Sequence, residues 1–251
     1  MKMRVLIYCL LICNLCKGQA PDLTNWKLDT LPLEDRIYKA NNSDNNWFFE
    51  KSGNVWEVKR KANRLERGDS LPVLSKRIRK LIDSIKGIKF FKKISSGYLM
   101  GVNNGEFGGG LYYIDLSRRK LREIHQSFRI QEIFEFQSKV YASVGVYNGQ
   151  IIEIYEENEH WKYKSVCILI GTPRLIVDYN DEKLILTSQH LSVLGKDLKV
   201  TELLKAPFYW GMLYPSSILI DGDNIYIAMR GGVLKISQFI TKPMFEWFTP
   251  K

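Results

Sequence analysis

The stretch Ile218-Leu219-Ile220-Asp221-Gly222-Asp223-Asn224-Ile225-Tyr226-Ile227-Ala228-Met229-Arg230-Gly231-Gly232-Val233-Leu234-Lys235-Ile236 decides how the rest of the chain is read. Three short apolar runs, Ile218 to Ile220, Ile225 to Ile227 and Val233 to Ile236, are separated by two groups of turn formers. Short β-branched and aromatic runs punctuated by Asp, Asn and Gly specify consecutive antiparallel strands.

Working outward, the closing strand of this stretch recurs upstream as Val55 to Val58, Leu111 to Ile114, Ile151 to Ile154 and Leu191 to Leu194. The first residues of the five copies lie 56, 40, 40 and 42 positions apart. Each copy has a second strand before its turn: Trp47 to Phe49, Tyr98 to Met100, Val140 to Ala142, Leu184 to Leu186 and Ile225 to Ile227. A third lies further upstream in four copies, at Phe90-Phe91, Ile133 to Phe136, Leu175 to Val177 and Ile218 to Ile220, with Arg36-Ile37-Tyr38 as a looser first copy. A fourth can follow, as at Lys120 to Ile124, Trp161 to Tyr163 and Lys199 to Leu204.

Four strands per unit of about 40 residues is the count of a propeller blade. The last unit resembles the repeat of bacterial secreted β-propellers of the two-component-regulator type, in which an apolar strand, Asp-x-x-Gly or Asn, an aromatic strand, Gly-Gly and a closing strand follow one another. The copy at Leu191 departs from it by lacking the glycine. The resemblance implies a fold over residues 36–248 and brings no catalytic motif. The expectation is an all-β chain: a β-propeller of five four-stranded blades, with one helical insertion between the first and second. A β-sandwich or an antiparallel meander is the alternative, and Leu23 to Leu33 is left over to close the ring or supply an extra strand.

The long first spacing holds about 15 extra residues, and the segment 69–87 reads as a basic amphipathic helix. Ser70 is placed to cap it, Pro72 to sit in its first turn and Gly87 to end it. Leu74, Ile78, Leu81, Ile82 and Ile85 follow one apolar face, with Lys76, Arg77, Arg79 and Lys80 away from it. From Lys59 to Lys93 thirteen Lys or Arg stand against Glu66, Asp69 and Asp83. Clustered cations attract polyanions, so the expected partner is a protein, glycan or other anionic envelope component. Nucleic acid is not expected, because aromatics are not interleaved with the cations.

At the amino terminus Lys2 and Arg4 precede an apolar run from Val5 through Leu15, the form of a secretory signal cleaved before Gln19. The run is too short for a spanning anchor. A secreted or periplasmic mature chain, residues 19–251, is therefore expected. It keeps only Cys167 of the four cysteines, so it has no internal disulfide, and its formal charge falls from +10 to +7. Cys167, between Val166 and Ile168, reads as a small buried hydrophobe.

In a propeller the equivalent hairpin turns gather at one end. That predicts a polar ring of Glu50, Lys51, Asn103, Asn104, Glu106, Tyr147, Asn148, Gln189, His190 and Arg230. The loop Asn103 to Gly110 is the most unusual member, with four glycines that let backbone approach a ligand. His125, His160 and His190 fall at unlike positions of the repeat, so no metal site is expected, and no cofactor motif is present. The reading favoured by the sequence is an exported binding or interaction module that uses the ring or the basic helix. Its rivals are a small enzyme of the propeller lyase or hydrolase type, with Glu106 or His190 as acid or base near Arg230, and a protective protein that binds a toxin or envelope partner.

Overall fold

The computed structural model describes residues 20–43, 46–60, 66–145 and 148–251. The signal segment and Tyr147 lie outside the described residues. In chain order the first elements are β1 (Pro21–Asp22), β2 (Trp26–Asp29), α1 (Glu34–Asn41), β3 (Trp47–Ser52), β4 (Val55–Arg60), β5 (Glu66–Gly68) and α2 (Lys76–Ser84). Then come β6 (Ile88–Ile94), β7 (Gly97–Asn103), β8 (Gly109–Asp115), β9 (Lys120–Gln126), β10 (Ile130–Phe136), β11 (Lys139–Gly145), β12 (Gly149–Glu157) and β13 (His160–Leu169). The last are β14 (Pro173–Tyr179), β15 (Glu182–Thr187), β16 (His190–Leu194), β17 (Val200–Lys205), β18 (Ser217–Asp221), β19 (Asn224–Met229), β20 (Gly232–Ser237) and β21 (Met244–Pro250). The chain is all-β in character, and its contacts divide it into two units, one of residues 1–61 with 213–251 and one of residues 62–212.

The 62–212 unit carries three up-and-down antiparallel sheets, β6-β7-β8-β9, β10-β11-β12-β13 and β14-β15-β16-β17, with β5 added in parallel to the free edge of β6. The 40-residue period is structural down to single residues. The outer strand pair of each sheet shifts register at the same place, between Leu111 and Tyr112, Ile151 and Ile152, and Leu191 and Ser192. A bulge repeated in the outermost strand, opposite the first residue of these three copies, is a built feature that bends that strand. The first strands of the sheets are neighbours, β10 lying against both β6 and β14.

Because the inner strands of each sheet have apolar residues on both faces, those strands are buried on both. Phe90, Leu99 and Leu111 of one sheet meet Ile133, Ala142 and Ile152 of the next. The other face of that second sheet, through Phe134, Tyr141 and Ile151, meets Ile176, Ile185 and Leu194 of the third. Each Leu, Ile or Phe side chain among these contributes about 1.5–3 kcal/mol by leaving water. The remaining face of the first sheet, with Phe91, Tyr98, Met100, Val102 and Ile114, is covered by Ile78 and Ile82 of α2.

In the unit of residues 1–61 and 213–251, β18-β19-β20-β21 form a fourth sheet of the same kind, and β2 adds to the outer edge of β21. The leftover amino-terminal segment thus supplies an extra strand. The fifth sheet departs from expectation: it holds β3 and β4 with the short parallel β1, and Arg36-Ile37-Tyr38 is not a strand but part of α1. Glu34 and Asp35 in the first turn suit a helix start, and Ile37 is its one buried residue. The insertion helix is also shorter than expected. Its cap is Ser75, whose Oγ accepts from the Ile78 N–H at 3.4 Å, rather than Ser70, and residues 70–74 precede the helix.

Where β2 ends, the Asp29 carboxylate accepts from Arg36 at 2.7 Å, from the Thr30 N–H at 2.7 Å and from Thr249 Oγ1 at 3.3 Å. These donors, Arg36 first, hold its pKa down at about 2. An unfolded Asp titrates near 4. The contribution of this carboxylate to stability is therefore present above about pH 4 and lost as the pH falls toward 2. We expect Arg36→Gln to move the Asp29 midpoint upward by NMR titration, and a midpoint left near 2 would remove Arg36 as the cause.

Candidate functional site

Of the predicted ring, the residues of the 62–212 unit are partly brought together. The Asn103 amide donates to Gln131 Oε1 at 3.0 Å, and the Gln131 amide donates to the Gly145 carbonyl at 3.1 Å, joining the β7–β8 loop to the β11–β12 turn that contains Asn148. The loop itself is tightly bonded. Asn103 Oδ1 accepts from the Gly105 N–H at 2.9 Å, Asn104 N–H donates to the Gly108 carbonyl at 2.9 Å, and Arg129 donates to the Glu106 carbonyl at 3.0 Å. The backbone is thereby fixed while the side chains of Glu106 and Asn148 stay exposed and that of Asn104 is half-buried. Phe107 at the loop tip is 88% exposed, an apolar group on a preorganised turn.

Other predicted ring members are engaged elsewhere. His190 is the first residue of β16, and its ring, only 14% exposed, lies with Nδ1 3.1 Å from Glu202 of β17. Gln189 donates to the Ala206 carbonyl at 3.4 Å. Arg230, in the other unit, donates to Asn46 Oδ1 at 2.9 Å and to the Asn41 carbonyl, and stacks on Tyr214 at 4.0 Å. Its guanidinium is thus occupied by structure. Glu50 and Lys51 are not turn residues; they lie within β3, where Glu50 pairs with Lys59 at 2.7 Å.

The basic helix keeps its predicted polarity. Ile78 and Ile82 point into the core and Lys76, Arg77, Arg79 and Lys80 are exposed. Arg79 bonds to Asp83 at 3.0 Å, one turn on. Among the described residues Lys76, Arg77 and Lys80 have no acidic partner. Ile78 and Ile82 fix the helix against the first sheet, so it offers its charges on a rigid support, while Leu81, expected on the same apolar face, is left 43% exposed.

A third feature went unseen in the sequence. At the end opposite the β7–β8 loop, a cleft of about 610 Å³ opens between the first and second sheets, lined by the β6–β7 and β8–β9 turns and by the β12–β13 hairpin. Lys93, Arg118, Arg122, Asp115, Glu156 and Glu159 line it, from positions that no motif links.

The described residues contain no group of three or more His, Cys, Asp or Glu placed to hold a metal. Cys167 packs against the second core cluster, and burial pushes its thiol up to about 11, which leaves little thiolate at neutral pH. No described helix is long and apolar enough to cross a membrane. No protein family model and no curated protein sequence matches the chain.

Proposed function

We propose that the five sheets are the blades of a β-propeller, that the mature chain is exported, and that it acts as a binding module whose basic α2 face receives an anionic envelope partner. The observation that carries this reading is the set of cations Lys76, Arg77 and Lys80, exposed and without acidic partners among the described residues, on a helix that Ile78 and Ile82 fix to the core. A helix already fixed to the core orders no further backbone when its cations meet an anion, and the clustered cations raise the anion's local concentration. The enzyme reading has less support, since the His190 ring lies against Glu202 and Arg230 is taken up by Asn41, Asn46 and Tyr214.

The test uses heparin as a polyanion probe. The mature chain should bind it with an affinity that falls as salt is raised through the physiological range, where the screening length is about 8 Å. Lys76→Gln/Arg77→Gln/Lys80→Gln, with all three changes on the solvent side, should weaken binding about tenfold while leaving the melting temperature in place. An unchanged affinity in the triple variant, or binding insensitive to salt, would remove the helix from the reading. A second reading has one observation in its favour, the rigid loop that presents Glu106 and Phe107. Loss of binding in Phe107→Ser with the triple variant intact would select it.

A further inference from the structure

The cleft between the first two sheets of the 62–212 unit has a charge pattern that specifies a ligand. Most of its ionic groups are already paired. Asp115, with a side chain 6% exposed, accepts from Ser117 Oγ and the Arg118 N–H at 2.8 Å each and sits 3.4 Å from Arg122. Arg118 crosses from the β8–β9 turn to Glu159 of the next sheet at 3.2 Å. Both phenols are engaged as well, Tyr113 donating to the Ser96 carbonyl at 2.8 Å and Tyr98 to the Ser70 carbonyl at 3.2 Å. Two lining charges remain without an ionic partner among the described residues: Lys93 at the end of β6 and Glu156 in β12.

These two have opposite sign and stand on different sheets. An anion entering the cleft would face Glu156, and a cation would face Lys93. A ligand with one charge of each sign at its two ends avoids both repulsions and meets both groups. Packed sheets lie about 10 Å apart, a distance spanned by about three residues of extended chain at about 3.3–3.6 Å each. The volume falls within the range of small-molecule sites. We propose that this cleft binds a short zwitterionic peptide, its carboxylate on Lys93 and its terminal ammonium on Glu156. The site is separate from the basic face of α2 and stands or falls independently of it.

The experiment titrates the isotopically labelled mature chain with diglycine, triglycine and tetraglycine and follows backbone amides. Triglycine is expected to give saturable shifts at residues 93–97, 115–118 and 156–159 with a Kd of about 1 mM, as its size allows. Acetylating its amino end or amidating its carboxyl end should each weaken binding at least tenfold. Lys93→Gln should bind triglycine and its amide equally, and Glu156→Gln should bind triglycine and its acetylated form equally. Both side chains are exposed, so the variants should keep the parent spectrum outside the cleft. The proposal is overturned if no oligoglycine gives saturable shifts in the cleft, or if capped and free peptides bind alike.

Discussion

Trp210→Ala is expected to lower stability by about 3–5 kcal/mol, the usual cost of removing a buried tryptophan. Trp210 opens the 3₁₀ turn Trp210–Leu213 in the connection between β17 and β18, and its side chain is fully buried. Its indole N–H donates to the Thr187 carbonyl at 2.7 Å, and its ring meets Phe208 edge-on at 6.3 Å. The same connection is bonded to the β15–β16 turn through Ala206 N–H to the Gln189 carbonyl at 2.8 Å and Gly211 N–H to the Ser188 carbonyl at 2.8 Å. Truncation therefore leaves a cavity and an orphaned carbonyl where a loop is fastened to its sheet. Trp210→Phe keeps most of the volume and loses the hydrogen bond, and should cost only about 1–3 kcal/mol. Thermal unfolding separates the two, since 1 kcal/mol moves the midpoint by about 2–4 °C in a chain of this size. An alanine variant that melts within a degree or two of the parent would mean that the indole does not hold this connection.

The parts of the fold that the sequence revealed are those with a local cause. The repeat was legible because Leu111, Ile151 and Leu191 stand near the starts of short, apolar, buried strands, and the structure places a bulge opposite each of them. Arg36-Ile37-Tyr38 was misread because one apolar residue between two polar ones fits either period, and the acidic Glu34 and Asp35 settle it as a helix. The start of α2 was displaced because Ser70 and Ser75 are equally good caps by type. Only the fit of Ile78 and Ile82 to the core selects Ser75.

The site was less legible. His190 fell in a turn by spacing, but as the first residue of β16 it is committed to a face of the sheet, where its ring lies beside Glu202. Lys93, Arg118 and Glu156 belong to three different strands or turns, and only the stacking of two sheets makes them neighbours. No pattern along the chain carries that information.

Gly109→Ala should be nearly as damaging, by about 3 kcal/mol, although it adds a single methyl group. Gly109 is the first residue of β8, opposite Asn103 across the strand pair. A Cβ there would stand 2.1 Å from the Val102 carbonyl oxygen and 2.4 Å from that of Phe128. Both obstacles are backbone, so relief requires either parting β7 from β8 or displacing the connection that carries Arg129. Either movement pulls on the bond from Arg129 to the Glu106 carbonyl and loosens the exposed loop. Gly105, four residues earlier, separates crowding from backbone strain: it has φ +60° and open space around its Cβ position. Gly105→Ala should therefore cost only the left-handed penalty, about 1–2 kcal/mol. If denaturant midpoints fall equally for both variants, crowding against the two carbonyls is not what fixes the loop; a much larger fall for Gly109→Ala means that the base of the loop is sterically locked and its tip, with Glu106 and Phe107, is free to be altered for binding tests without unfolding the sheet.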